Sequence, residues 1–172
     1  VTVDPIPDAM ALPQSICSGA TTNVPVTSNV AGTTFTWTAN PSAGITGALG
    51  GSGSAIAQTL TNTTTTPGTV TYTITPTGPA PSNCTGTTVD VIVTVNPLPD
   101  AIATQSNQTI CSTESTSILL SSGVAGTTFT WTASSAVSIT GANGGSGNTI
   151  SEALTNSSNT LAGNVTYTIT PT

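Results

Sequence analysis

The chain has 172 residues, carries no Lys, Arg or His, and has six acidic residues, Asp4, Asp8, Asp90, Asp100, Glu114 and Glu152. Charged residues make up 3% of it, against about a quarter in ordinary soluble domains, and polarity comes from 40 Thr, 20 Ser and 12 Asn. Without cations nothing neutralises phosphate, which excludes nucleic-acid partners and attraction to anionic lipid; no apolar run approaches the roughly 18 residues of a membrane span. Without His or Lys there is no imidazole base, Schiff base or His ligand, so the chain is read as no enzyme.

Val1–Asp8 (VTVDPIPD) matches Val93–Asp100 (VTVNPLPD) and reads as the end of a preceding repeat with its linker. Strands are then expected over Gln14–Cys17, Thr22–Thr27 and Thr34–Ala39, where Phe35, Trp37 and Ala39 alternate with threonines. Asn40-Pro41 and Gly50–Gly53 separate these from further strands at Ala55–Thr61 and, past Pro67-Gly68, at Val70–Thr75, where Val70, Tyr72 and Ile74 point one way. A closing strand runs through Val89, Val91, Val93 and Val95. The series then restarts: Val30–Ala39 recurs unchanged as Val124–Ala133, Val70–Thr77 as Val165–Thr172, and Ile16-Cys17-Ser18 as Ile110-Cys111-Ser112.

Self-similarity at this spacing marks tandem repeats, and period-two alternation marks strands with one buried face. About seven short strands per unit, with a central Trp, predict an all-β chain of tandem immunoglobulin-like β-sandwiches. The expected divisions are 1–8 as the end of a preceding repeat and linker, 9–95 as repeat 1, 96–100 as a Pro-rich linker, and 101–172 as repeat 2 without its closing strand. The chain reads as a window of a longer array. Phe35, Trp37, Tyr72, Phe129, Trp131 and Tyr167 are the expected core aromatics.

Cys17 precedes the first clear core strand and Cys84 the last, so a disulfide between them is expected, leaving Cys111 as the unpaired counterpart of Cys17. Such a bridge is worth about 4 kcal/mol in the chain-entropy model and implies an oxidising compartment. Asp4, Asp8, Asp90 and Asp100 lie in or near the two junctions and are candidate ligands for a calcium ion, although prolines alone make a stiff connector. Otherwise no cofactor is expected. Rows of Thr suit the wet face of a pleated sheet and, on a second reading, contact with a surface polymer.

Taken together, Ile-Cys-Ser, Gly-Thr-Thr-Phe-Thr-Trp, Ile-Thr-Gly-Ala, Gly-Gly-Ser-Gly, Leu-Thr-Asn, Val-Thr-Tyr-Thr-Ile-Thr-Pro-Thr, Asn-Cys-Thr-Gly and Val-Thr-Val-Asn-Pro resemble the PKD-like repeats of Bacteroidetes surface proteins. The Trp-Asp-Phe-Gly-Asp-Gly motif of classical PKD domains is absent, since Trp37 is followed by Thr-Ala-Asn-Pro. The resemblance implies large secreted adhesins and filaments at the cell surface, gliding-motility adhesins among them, often exported by the type IX route. It transfers no catalytic residue. The expected role is that of shaft or spacer repeats of an extracellular adhesin or surface filament, with neighbouring repeats of the same chain as partners and lateral self-association or surface polysaccharide as further ones. The alternatives are a glycan-binding module and an accessory domain of a secreted polysaccharide-degrading enzyme.

Overall fold

The computed structural model describes residues 1–172 and divides them into two compact units, Val1–Leu98 and Pro99–Thr172. All regular elements are strands. Unit 1 holds β1 (Gln14–Cys17), β2 (Val24–Pro25), β3 (Thr34–Pro41), β4 (Ile45–Thr46), β5 (Gly51–Ser52), β6 (Ala55–Ile56), β7 (Thr61–Asn62), β8 (Gly68–Thr77) and β9 (Val89–Asn96).

One layer is a five-stranded sheet in the order β1-β9-β8-β3-β5. Its long strands β3, β8 and β9 are antiparallel neighbours, and their period-two patterns bring Trp37 opposite Ile74 and Tyr72 opposite Val91. Each strand thereby turns one row inward: Phe35 and Trp37, then Val70, Tyr72 and Ile74, then Val91, Val93 and Val95. Such cross-strand pairs of aromatic and β-branched residues are the unit of sheet stability. The other layer is built of short pairs, β2 with β6 and β4 with β7, and supplies Val24, Val26, Ile56 and Leu60 to the same core.

Two expected elements differ. The stretch Ala55–Thr61 is split, because Ile56 pairs with Val24 while Asn62 pairs with Ile45. The backbone at Thr59, between these pairings, lies tight against Gly47: a Cβ on Gly47, which has φ +90°, would fall 2.1 Å from the Thr59 carbonyl oxygen. Only glycine tolerates both the left-handed φ and that approach. The same contact recurs at Gly141, φ +94° and 2.1 Å from the Ala153 carbonyl oxygen. The run Gly50–Gly53, expected as a separator, contains β5, which pairs with β3 through Gly51 opposite Trp37.

Strand β1 runs parallel to β9, with Gln14 opposite Val93 and Cys17 opposite Asn96. That register overturns the expected Cys17–Cys84 disulfide, and all three cysteines are free. Cys17 sits beside the last residue of β9, whereas Cys84 precedes the first, where its carbonyl accepts from Gly78 N at 2.8 Å. The eight residues of β9 span roughly 23 Å at about 3.3 Å per residue, and a disulfide requires Cα atoms within about 7 Å. The two thiols therefore occupy opposite ends of the closing strand. Without any reductant, the unfolded chain should titrate three thiols with a maleimide or disulfide reagent, and the folded chain should melt at the same temperature with and without dithiothreitol. Fewer than three thiols in protein prepared under air would contradict this geometry.

Unit 2 holds β10 (Ile102–Ala103), β11 (Ile118–Ser121), β12 (Phe129–Ser135), β13 (Ile139–Thr140), β14 (Gly145–Ser146), β15 (Thr149–Ile150), β16 (Thr155–Asn156) and β17 (Val165–Pro171). Its sheets are ordered β14-β12-β17, β10-β11-β15 and β13-β16. Phe129 and Trp131 are buried at the positions equivalent to Phe35 and Trp37. Gln108–Cys111, the counterpart of β1, is not a strand. In unit 1 the only strand paired with β1 is β9.

Candidate functional site

Each unit fastens its entry segment to a turn by one aspartate. Asp8 Oδ1 accepts from Ser28 Oγ at 2.7 Å and from Asn29 N at 2.8 Å, while Oδ2 accepts from Asn29 Nδ2 at 2.7 Å. In unit 2, Asp100 Oδ1 accepts from Ser122 Oγ and, at 2.9 Å, from Gly123 N. The serine hydroxyls first, and then the backbone amides, hold both carboxyls below the ordinary aspartate value. A depressed folded pKa means that the anchors stabilise above the ordinary value and lose this contribution as pH falls through the folded one. Acid titration of Asp8→Asn and Asp100→Asn should therefore show a flatter stability profile below about pH 4 than the parent chain. An unchanged profile would mean that the anchors carry no charge-dependent stability.

Of the carboxylates considered for calcium at the two junctions, none belongs to a group of three or more possible metal ligands. Asp8 and Asp100 are engaged as described, Asp90 accepts from Thr73 Oγ1 at 2.7 Å on the wet face of β9, and Asp4 lies in the entry segment outside any strand. No cluster of three or more His, Cys, Asp or Glu side chains has metal-site geometry.

The tryptophans rest on glycine. A Cβ on Gly51 would fall 3.0 Å from Trp37 Cζ2, and one on Gly145 would fall 2.7 Å from Trp131 Cζ2. The bare backbone of β5 and β14 is thus the shelf on which each indole lies, which explains why Gly-Gly-Ser-Gly recurs. Both indole Nε1 atoms are buried without a hydrogen-bond partner. That costs about 1–3 kcal/mol each and leaves the indoles as packing groups.

A second recurrent clasp was not evident in the sequence. Tyr72 donates its hydroxyl to Gln58 Oε1 at 2.9 Å, and Gln58 in turn grips Leu49 through both its amide oxygen (2.9 Å) and nitrogen (2.6 Å). In unit 2, Tyr167 donates to Glu152 Oε2 at 2.6 Å, and the same oxygen accepts from Asn143 N at 3.0 Å. Burial raises both tyrosine pKa values, and at Tyr167 the Glu152 carboxylate raises it further. The available signal was positional: Gln58 and Glu152 stand at the same place in the two repeats.

The wet face of the main sheet is a threonine lattice. Thr34, Thr36 and Thr38 of β3 stand in register with Thr77, Thr75 and Thr73 of β8, and Thr130 and Thr132 of β12 with Thr170 and Thr168 of β17.

A family model described as a PKD-like domain matches residues 14–99 and again 108–172. Among solved structures, the chain is similar to the crystal structure of DIP-gamma IG1+IG2, at 8% identity and a TM-score of 0.42, with 96% of each chain covered. No curated protein matched it. With two sandwiches that repeat one set of core, shelf and anchor contacts, and with the family match spanning both, the chain belongs to the PKD-like domain family as a tandem pair.

Proposed function

We propose that the chain is a stretch of the shaft of an extracellular adhesin or cell-surface filament, of the kind that PKD-like repeats build in Bacteroidetes surface proteins and gliding-motility adhesins exported by the type IX route. Tandem PKD-like domains are structural or adhesion-related modules, and one observation carries the finer reading. The scaffold recurs down to the Asp8 and Asp100 anchors and the Gly51 and Gly145 shelves, while loop tips such as Pro41–Gly44 and Ser135–Ser138 differ. A spacer needs the scaffold copied; a binding loop repeated along an array would be copied as well. Neighbouring repeats of the same chain are the partners in this reading, and length grows by repetition.

The test is made in cells that display the whole protein. Removing repeats should shorten the surface structure in proportion, whereas replacing Thr34, Thr36 and Thr38 by valine, which keeps the shape and removes the hydroxyls, should leave attachment unchanged. Loss of attachment with length and folding preserved would sink the spacer reading in favour of a glycan- or polymer-binding module. The in-register threonine lattice is the observation that favours this second reading, because it presents hydroxyls at the regular spacing of a pleated sheet.

A further inference from the structure

The two units share the glycine shelf but differ at the residue that leads into it. Unit 1 reads Leu49-Gly50-Gly51-Ser52, and unit 2 reads Asn143-Gly144-Gly145-Ser146. Of the 12 asparagines in the chain, Asn143 alone is followed by glycine. Asparagine is a heat-labile residue because the backbone nitrogen of the next residue can attack its side-chain amide. A glycine in that next place leaves the nitrogen uncrowded and gives the backbone its widest choice of angles. Asn40 and Asn96 precede proline, whose nitrogen carries no hydrogen to lose, and the other asparagines precede Val, Thr, Cys, Gln or Ser.

The structure leaves both reacting groups accessible. Asn143 and Gly144 are exposed, β12 pairs with this segment only from Gly145 onward, and the Gly144 N–H has no acceptor in the chain. One bond holds the side chain: Asn143 Nδ2 donates to Gly141 O at 3.0 Å, a neutral, exposed contact that water readily replaces. The segment is nevertheless tied on both sides of the reactive bond. Asn143 N donates to Glu152 Oε2 at 3.0 Å, and Gly145 is paired with Trp131 as the shelf under its indole. These two ties fix the length of chain between them.

We propose that the Asn143-Gly144 bond is a spontaneous modification site, through which unit 2 ages and loosens its tryptophan shelf while unit 1 does not. Gly144 N gives its proton to hydroxide and forms a bond to Asn143 Cγ. The Cγ–Nδ2 bond breaks, the nitrogen leaves as ammonia with a proton from water, and a cyclic imide closes. Water then opens the ring. Attack at Cγ gives an aspartate, and attack at the main-chain carbonyl carbon gives an isoaspartate, whose backbone runs through Cβ and Cγ. The isoaspartate inserts an extra backbone atom between the Glu152 tie and the Trp131 pairing, so one of them must yield. It also sets a new carboxylate on the residue that Glu152 grips, with no Lys, Arg or His side chain in the chain to offset the repulsion. Unit 1 is the internal control, because Leu49 N makes the same bond to Gln58 Oε1 at 2.9 Å and its side chain has no amide to lose. The inference goes beyond the shaft reading and does not depend on it.

The test is to age the full chain in warm, mildly alkaline buffer and to map it by mass spectrometry at intervals, with an isoaspartyl methyltransferase as the second reporter. Acid and isoaspartate should accumulate at position 143 while the other asparagines stay intact, at a rate proportional to hydroxide concentration. Hydrogen-exchange protection of the β12–β14 pairing should fall in step with the product, and that of β3–β5 should stay constant. Asn143→Leu installs the residue that unit 1 carries at this place, so it should fold as the parent does, form no product at this bond and keep its β12–β14 protection through ageing. An intact Asn143 in aged protein, or conversion spread evenly over the exposed asparagines, would overturn the proposal. So would product at 143 with β12–β14 protection unchanged, or an equal loss of that protection in the Asn143→Leu chain.

Discussion

Replacing Val93 by aspartate is expected to unfold unit 1 and leave unit 2 folded. Val93 is fully buried in β9, with Gln14 of β1 on one side and Val70 of β8 on the other. Loss of its side chain from the core costs about 2 kcal/mol, and an unpaired carboxylate there adds several more. The chain has no Lys, Arg or His side chain to compensate. The total is comparable with the 5–15 kcal/mol that holds a small domain together. Hydrogen exchange resolved by residue should then show protection lost across Val24–Asn96 and retained across Ile118–Pro171. The neighbouring change Ile92→Thr, on the exposed face of the same strand, is expected to stay within about 0.5 kcal/mol of the parent. Equal damage from the two would contradict the two-faced packing of β9.

The second large effect is at Trp37. Trp37→Ala should cost about 3–5 kcal/mol, and at about 4–8 °C per kcal/mol for a domain of this size it should lower the melting temperature of unit 1 by more than 10 °C. The glycine shelf makes the result specific. Gly51→Ala places a methyl group 3.0 Å from the indole and should destabilise by about 1–3 kcal/mol in the parent chain. In the Trp37→Ala background the same change should cost much less, because its clashing partner is gone, so the double-mutant cycle should show strong coupling. Additive effects measured by chemical unfolding would mean that Gly51 matters for its backbone alone.

The inward rows of β3, β8 and β9 were legible because a half-buried strand writes its burial into every second residue, and Phe35, Trp37, Tyr72 and Val93 obey that period. The repeat was legible because identical segments need no structural knowledge to be matched. What escaped were relations between distant pieces of chain. Cys17 and Cys84 flank the core strands symmetrically in the sequence, but the parallel pairing of β1 with β9 sends them to opposite ends, and nothing local encodes that direction. Gly50–Gly53 reads as a turn by composition, yet Gly51 is a strand residue whose missing side chain makes room for an indole. Asp8 and Asp100 read from the sequence as junction acids at equivalent places, but that each accepts from donors in a turn some twenty residues further along its own unit is a relation that nothing local encodes.

The parallel β1–β9 pair has a consequence for a molecule held at its two ends. The chain enters unit 1 ahead of β1 and leaves it after β9, so tension on its ends draws these two strands along their own axes in opposite senses. The rungs from Gln14–Val93 to Cys17–Asn96 are then strained together, as a lap joint is, and cannot be opened one at a time like a zipper. A joint loaded in this way resists far more than the same bonds peeled in sequence. Under such a load, the resistance of unit 1 is set by where its first and last strands meet rather than by how much core lies behind them.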